Sequence, residues 1–148
     1  MNGKLSWRIF WALVGIFVVI VCLFLIPPFR DLLRGSLLFL SPFAIFFLLG
    51  IALIVLTLKE KVGGMPKKFL LLTGASSTGV FVSILLHNTV YGLFIYFLGD
   101  DFWDRIGITD EPFFFFMTFV CMVGFLVGTV GSIVLAIKQR RMRSEPLS

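Results

Sequence analysis

The side chains best suited to chemistry are Ser83, His87, Asn88 and Tyr91, clustered in one short stretch of the chain. An imidazole can serve as a general base or metal ligand, a carboxamide both donates and accepts, and hydroxyls complete hydrogen-bond networks. On a helix, Ser76, Ser83 and His87 share one face within about 40°, and Tyr91 lies one turn beyond His87. Asn88 points roughly 100° away from His87. Such a face offers a small polar pocket that binds a ligand, relays a proton, or ligates a metal or haem. The competing reading is that these groups bond to one another, to backbone carbonyls or to interfacial water.

Other candidates narrow the chemistry further. The chain has one histidine, so bis-histidine haem ligation would need a second subunit. As a general base, His87 would have no orienting carboxylate in its own segment. Cys22 and Cys121 lie in separate apolar runs and form no CxxC pair, which supports neither a thioredoxin-like motif nor a zinc site. Asp100, Asp101 and Asp104 could attract a divalent cation, although a segment simply poor in Lys and Arg accounts for them. No catalytic residue, metal or cofactor is assigned.

The elements that must position these residues follow from composition. The chain is 59% hydrophobic and 14% charged, with 19 phenylalanines, where ordinary soluble domains run roughly 45–50% apolar and about 25% charged. With a mean hydropathy of +1.05, lipid is the expected solvent. Residues 9–26, 36–58, 69–98 and 113–137 form four runs without Asp, Glu, Lys or Arg. A hydrocarbon core about 30 Å thick needs about 20 helical residues. Period-2 alternation is absent, and backbone groups in lipid must be satisfied internally, so each run is expected to be a helix. The expected fold is all-α, a polytopic membrane protein with four transmembrane helices in an up-down bundle. It forms one domain over 1–148, with a basic tail at 138–148.

Details of the runs matter for the polar stretch. Lys4 and Arg8 precede the first run as in a signal peptide, but no small-x-small site follows it and Val21 precedes Cys22, so it reads as a retained span. Pro42 either kinks the second run, or residues 29–40 are an interfacial piece and the span begins near Ser41. The third run is about 45 Å long as a helix and must tilt or emerge from the core. His87 sits about 27 Å along it if Phe69 marks the inner boundary, or about 5 Å past the midplane if the run is centred.

The net charge of +5 and pI near 9.6 do not indicate nucleic acid, because the cations sit between apolar runs. Ten of the thirteen Lys/Arg fall in the N-terminus, the Lys59–Lys68 segment and the C-terminal tail. By the positive-inside rule these three are cytoplasmic, in a cell (inner) membrane. The basic tail could also attract anionic lipid. Trp7, Trp11 and Trp103 lie near span ends, as an aromatic belt requires.

In the fourth run, Gly124, Gly128 and Ser132 recur every four residues with Gly131 adjacent, a small-xxx-small packing face. It serves either self-association or a partner subunit, or packing on the first or third span within the chain. The stretch LLTGASSTGVFVSILLHNTVYGL at Leu71–Leu93, with GTVGSIVLAIK at Gly128–Lys138, resembles small uncharacterised prokaryotic membrane proteins sharing a GAS…LHN…YGL third span. The resemblance covers about a third of the chain; it implies a four-helix inner-membrane protein and no known activity. Eicosanoid and glutathione membrane enzymes, quinone-linked disulfide enzymes and small multidrug exporters each require residues this chain lacks. The expected function is therefore a non-enzymatic accessory, structural or regulatory membrane subunit, with the bilayer and a second copy or another membrane protein as partners. A small-solute channel, carrier or ligand-binding protein using the polar face of the third helix is the alternative.

Overall fold

The computed structural model describes residues 4–28, 41–107 and 111–144, the side chains at 24, 106, 111–116, 140 and 143–144 excepted. Five helices are labelled: α1 (Lys4–Leu25), α2 (Ser41–Lys59), α3 (Gly64–Leu98), the short α4 (Phe102–Ile106) and α5 (Glu111–Ser144). No strand occurs among the described residues. Four of these helices are long and apolar enough to cross a membrane, through Lys4–Leu23, Ser41–Lys59, Gly64–Leu98 and Met117–Gln139. The chain is an all-α bundle with a multi-pass membrane architecture.

Helix ends depart from the apolar runs for local reasons. Described α1 already includes Lys4 and Arg8 ahead of Ile9, because exposed Lys and Arg are good helix formers. α3 begins at Gly64, and Pro66 fits there because the amide it lacks would be unpaired in a first turn anyway. Described α2 starts at Ser41, and Pro42 is its second described residue. The expected start of the second span at Ser36, together with Arg30, Asp31 and Arg34, lies outside the described residues. Gly99, with φ of 92°, ends α3, and Gly107, with φ of 63°, ends α4; both are conformations that a side chain would oppose.

Consecutive long helices pack antiparallel, α1 on α2, α2 on α3 and α3 on α5. The α3–α5 register is set where Gly124 faces Ser76, Gly128 faces Thr73, and Gly131 faces Phe69. On its other flank α3 meets α2 through Gly74 and Gly50, whose backbones nearly touch. α1 closes the bundle, the Phe17 ring lying 4.6 Å from Phe125 of α5 and 6.1 Å from Phe46 of α2.

The distribution of polarity is inverted relative to a soluble bundle. Hydroxyl residues Ser6, Thr57, Thr73, Ser76, Ser77 and Ser132 are buried beside Phe10, Leu13, Leu53, Leu70 and Phe125. Outward positions carry Leu48, Val55, Leu126 and Val130. Lipid tails are as apolar as leucine, so burial of leucine between helices gains little there, and close van der Waals packing must hold the helices together.

A side chain at Gly50 would begin 2.9 Å from the Gly74 carbonyl oxygen, whereas one at Gly92 would meet nothing within 4 Å. Gly50→Val is therefore expected to destabilise the bundle by about 2 kcal/mol or more through overpacking. Gly92→Ala should be neutral or stabilise by up to about 1 kcal/mol. Thermal unfolding in detergent, followed by helical circular dichroism, checks both.

Candidate functional site

The polar stretch lies on α3, which places its groups by helical geometry alone. Ser83 is buried, and its Oγ donates to the Gly79 carbonyl at 2.6 Å. Asn88 is exposed, and its Nδ2 donates to the Ile84 carbonyl at 2.8 Å. Both side chains thus turn back onto their own helix, a common resolution for polar groups in an apolar medium. His87 is half-buried, its ring stacked on Tyr91 with centroids 6.2 Å apart and planes 20° apart.

The stack continues beyond α3. Tyr91 lies 5.6 Å from Trp103 at 14°, and Phe94 lies 5.3 Å from Trp103 and 5.1 Å from Phe102. The turn at Gly99 folds α4 back to make these contacts. Sequence reasoning placed Trp103 at a membrane boundary and left it out of the candidate site. Its position here depends on the turn, which no helical periodicity reports. Trp103 Nε1 is enclosed without an acceptor among the described residues, an unusual state for an enclosed indole N–H. His87, Tyr91 and Trp103 are brought together, while Asn88 lies on another face and Ser83 lies a turn deeper, bonded to the backbone.

Elsewhere the groups are plainer. Asp101 and Arg105 form an exposed i,i+4 pair at 3.6 Å on α4. No cluster of three or more His, Cys, Asp or Glu able to hold a metal occurs among the described residues. Cys22 is exposed and Cys121 half-buried, both as free thiols, and Cys121 Sγ packs where a Gly79 side chain would begin. The helix-packing residues Gly124 and Gly128 face Ser76 and Thr73, and neighbouring Gly131 faces Phe69. The small-residue face of α5 is occupied by α3 of the same chain. Ser132 is fully buried, and its hydroxyl, like those of Thr57 and Thr129, has no hydrogen-bond partner among the described residues.

The other end of the bundle holds the best-defined polar contact. Glu60, in the turn after α2, accepts hydrogen bonds from the Leu5 amide at 3.1 Å, the Ser6 amide at 3.0 Å and the Ser6 hydroxyl. An anionic carboxylate thereby caps the positive N-terminus of α1, the role that a local Asp or Ser usually fills. The Ser6 hydroxyl and amide, followed by the Leu5 amide, hold the Glu60 carboxyl below the ordinary glutamate range. The antiparallel registers also gather Lys4 and Arg8, the α2–α3 turn, and Lys138 and Arg141 of α5 at this same end. Asp100, Asp101 and Asp104 stand at the opposite one.

No family model, no curated protein and no solved structure matches the chain. The reading of the site therefore rests on its geometry.

Because the folded carboxyl is lowered, the Glu60 cap contributes stability above the ordinary glutamate pKa, and that contribution is lost as pH falls through the folded value. Glu60→Gln should lower the unfolding temperature at neutral pH and remove this acid-side dependence. Unfolding scans of both proteins between neutral and acid pH test it; superimposable pH profiles would contradict the cap.

Proposed function

We propose that the chain is a non-enzymatic accessory, structural or regulatory subunit of a prokaryotic cell membrane. Its N-terminus, Lys59–Lys68 segment and C-terminal tail face the cytoplasm in this reading. The observation that carries the proposal is the contrast along α3. The inner half of that helix is gripped on two sides, whereas its outer half carries Leu85, Leu93, Tyr96 and Phe97 exposed. At 35 residues the helix is about 52 Å long, well beyond a hydrocarbon core of about 30 Å. A helix of that length tilts or shares its excess apolar surface with a neighbour.

The polar residues support the same reading, since Ser83 and Asn88 are bonded to their own helix and leave little chemistry available. The partner is a second copy or another membrane protein. Orientation is supported by the ten cations in the three segments assigned to the cytoplasm. The likeness of the third span to the small prokaryotic four-helix group agrees with this and adds no activity.

One observation favours ligand binding as a second reading. Trp103 Nε1 is an enclosed donor at the end of the His87–Tyr91–Trp103 stack. A small solute carrying an acceptor would satisfy it.

Purification in mild detergent should retain a second copy or another membrane protein on the chain, and a strictly monomeric, partnerless particle would argue against the accessory role. A reporter fused to the C-terminus should be active inside the cell; activity outside reverses the orientation. His87→Ala combined with Asn88→Ala should leave association intact. Loss of a solute flux with preserved folding would favour the second reading instead.

A further inference from the structure

We propose that the basic end of the bundle is a binding surface for anionic phospholipid headgroups. The proposal rests on immersion of the helices in a bilayer; it requires neither the accessory role nor a particular orientation.

Five of the cations at this end occupy two depths. Phe69 faces Gly131, so Lys67 and Lys68 are level with the stretch of α5 just beyond Gly131. Phe17 meets Phe125 in antiparallel α1 and α5, which puts Arg8 at nearly the same depth and Lys4 level with Lys138. The two tiers are about four residues apart, or about 6 Å along the helices. Around them, the only carboxylate described at this end belongs to Glu60, and its oxygens are taken up by the Leu5 and Ser6 donors. Among the described residues, Lys4, Arg8, Lys67, Lys68 and Lys138 therefore outnumber the carboxylates beside them, on side chains that are exposed or half-buried.

What lies beside each cation identifies the anion. Trp11, one turn from Arg8, is 55% exposed; Leu72, one turn from Lys68, is 38% exposed; Val134, one turn from Lys138, is 55% exposed. Each charge thus runs directly into an apolar outward stripe. In the bilayer those stripes are covered by acyl chains, so the phosphates nearest the cations are those of the lipids themselves. An amphiphile with a phosphate at one end and acyl chains at the other matches both halves, and the stems of Lys and Arg can lie along the apolar surface while their heads reach the phosphate. Each such cation near an anionic surface is worth about a fivefold gain in lipid affinity.

Trp7 and Trp11 report from this end once Trp103 at the other is replaced. The protein with Trp103→Phe, reconstituted in dioleoylphosphatidylcholine vesicles, is titrated with brominated phosphatidylglycerol or brominated phosphatidylcholine, which quench adjacent tryptophans. Phosphatidylglycerol is expected to be preferred about tenfold or more, and 0.5 M sodium chloride should largely abolish the preference. Lys67→Gln with Lys68→Gln should reduce it, while Lys67→Arg with Lys68→Arg keeps it. Equal quenching by the two lipids overturns the proposal while leaving bilayer immersion intact. An undiminished preference in the folded glutamine variant, or in high salt should that variant not fold, also overturns it. Displacement of phosphatidylglycerol by inorganic phosphate beyond that by chloride at equal ionic strength would reassign the surface to a free anion.

Discussion

Close backbone approach at glycine governs how this bundle can exist at all. Between two helices in hydrocarbon there is no water to expel, so burial of leucine gains little and contact distance decides attraction. α3 meets this demand on both flanks, through Gly74 against Gly50 of α2 and through Thr73 and Ser76 against Gly128 and Gly124 of α5. The helix reaches its neighbours with hydroxyls and hydrogens where a soluble bundle would use large apolar knobs. Its own Thr73, Ser77 and Thr78 hydroxyls bond back to carbonyls of the same helix, so the close packing leaves those donors satisfied.

That constraint orders the rest. Gripping α3 along its N-terminal half brings the α2–α3 turn beside the start of α1, where Glu60 can reach the Leu5 and Ser6 amides. The cap in turn fixes where Lys4 and Arg8 emerge, level with the cations of α3 and α5. Toward the opposite end the glycine contacts cease, α3 becomes exposed, and aromatic rings replace hydroxyls as its neighbours, with Tyr91 and Phe94 meeting Trp103 and Phe102. A polar, positively charged end and an aromatic end thus follow from where small residues stop along one helix.

The helical character and the four apolar runs were legible because hydrocarbon imposes a coarse rule on length and polarity. The small-residue face at Gly124 and Gly128 was legible too, as four-residue spacing marks a helix face directly. Which helix covers that face was left open, because spacing within one segment says nothing of the segment it meets. Gly50, Gly74 and Gly79 drew no attention as contact points for the same reason. The Glu60 cap spans more than fifty residues of sequence, and the approach of Trp103 to Tyr91 depends on positive φ at Gly99. Ser83, His87, Asn88 and Tyr91 were found by residue type, yet type did not reveal that Ser83 and Asn88 bond to their own helix.

The central claim, that the small-residue face of α5 is covered by α3 of the same chain, can be tested by a single crosslink. A side-chain carbon built on Gly124 would stand 3.6 Å from Ser76 Cβ, within the span of a disulfide. In a background of Cys22→Ser and Cys121→Ser, the pair Ser76→Cys and Gly124→Cys should oxidise in native membranes to a bond within one chain. Electrophoresis without reductant would then show a monomer of altered mobility that reverts on reduction. A disulfide-linked dimer in its place, or two unreacted thiols, would contradict the account.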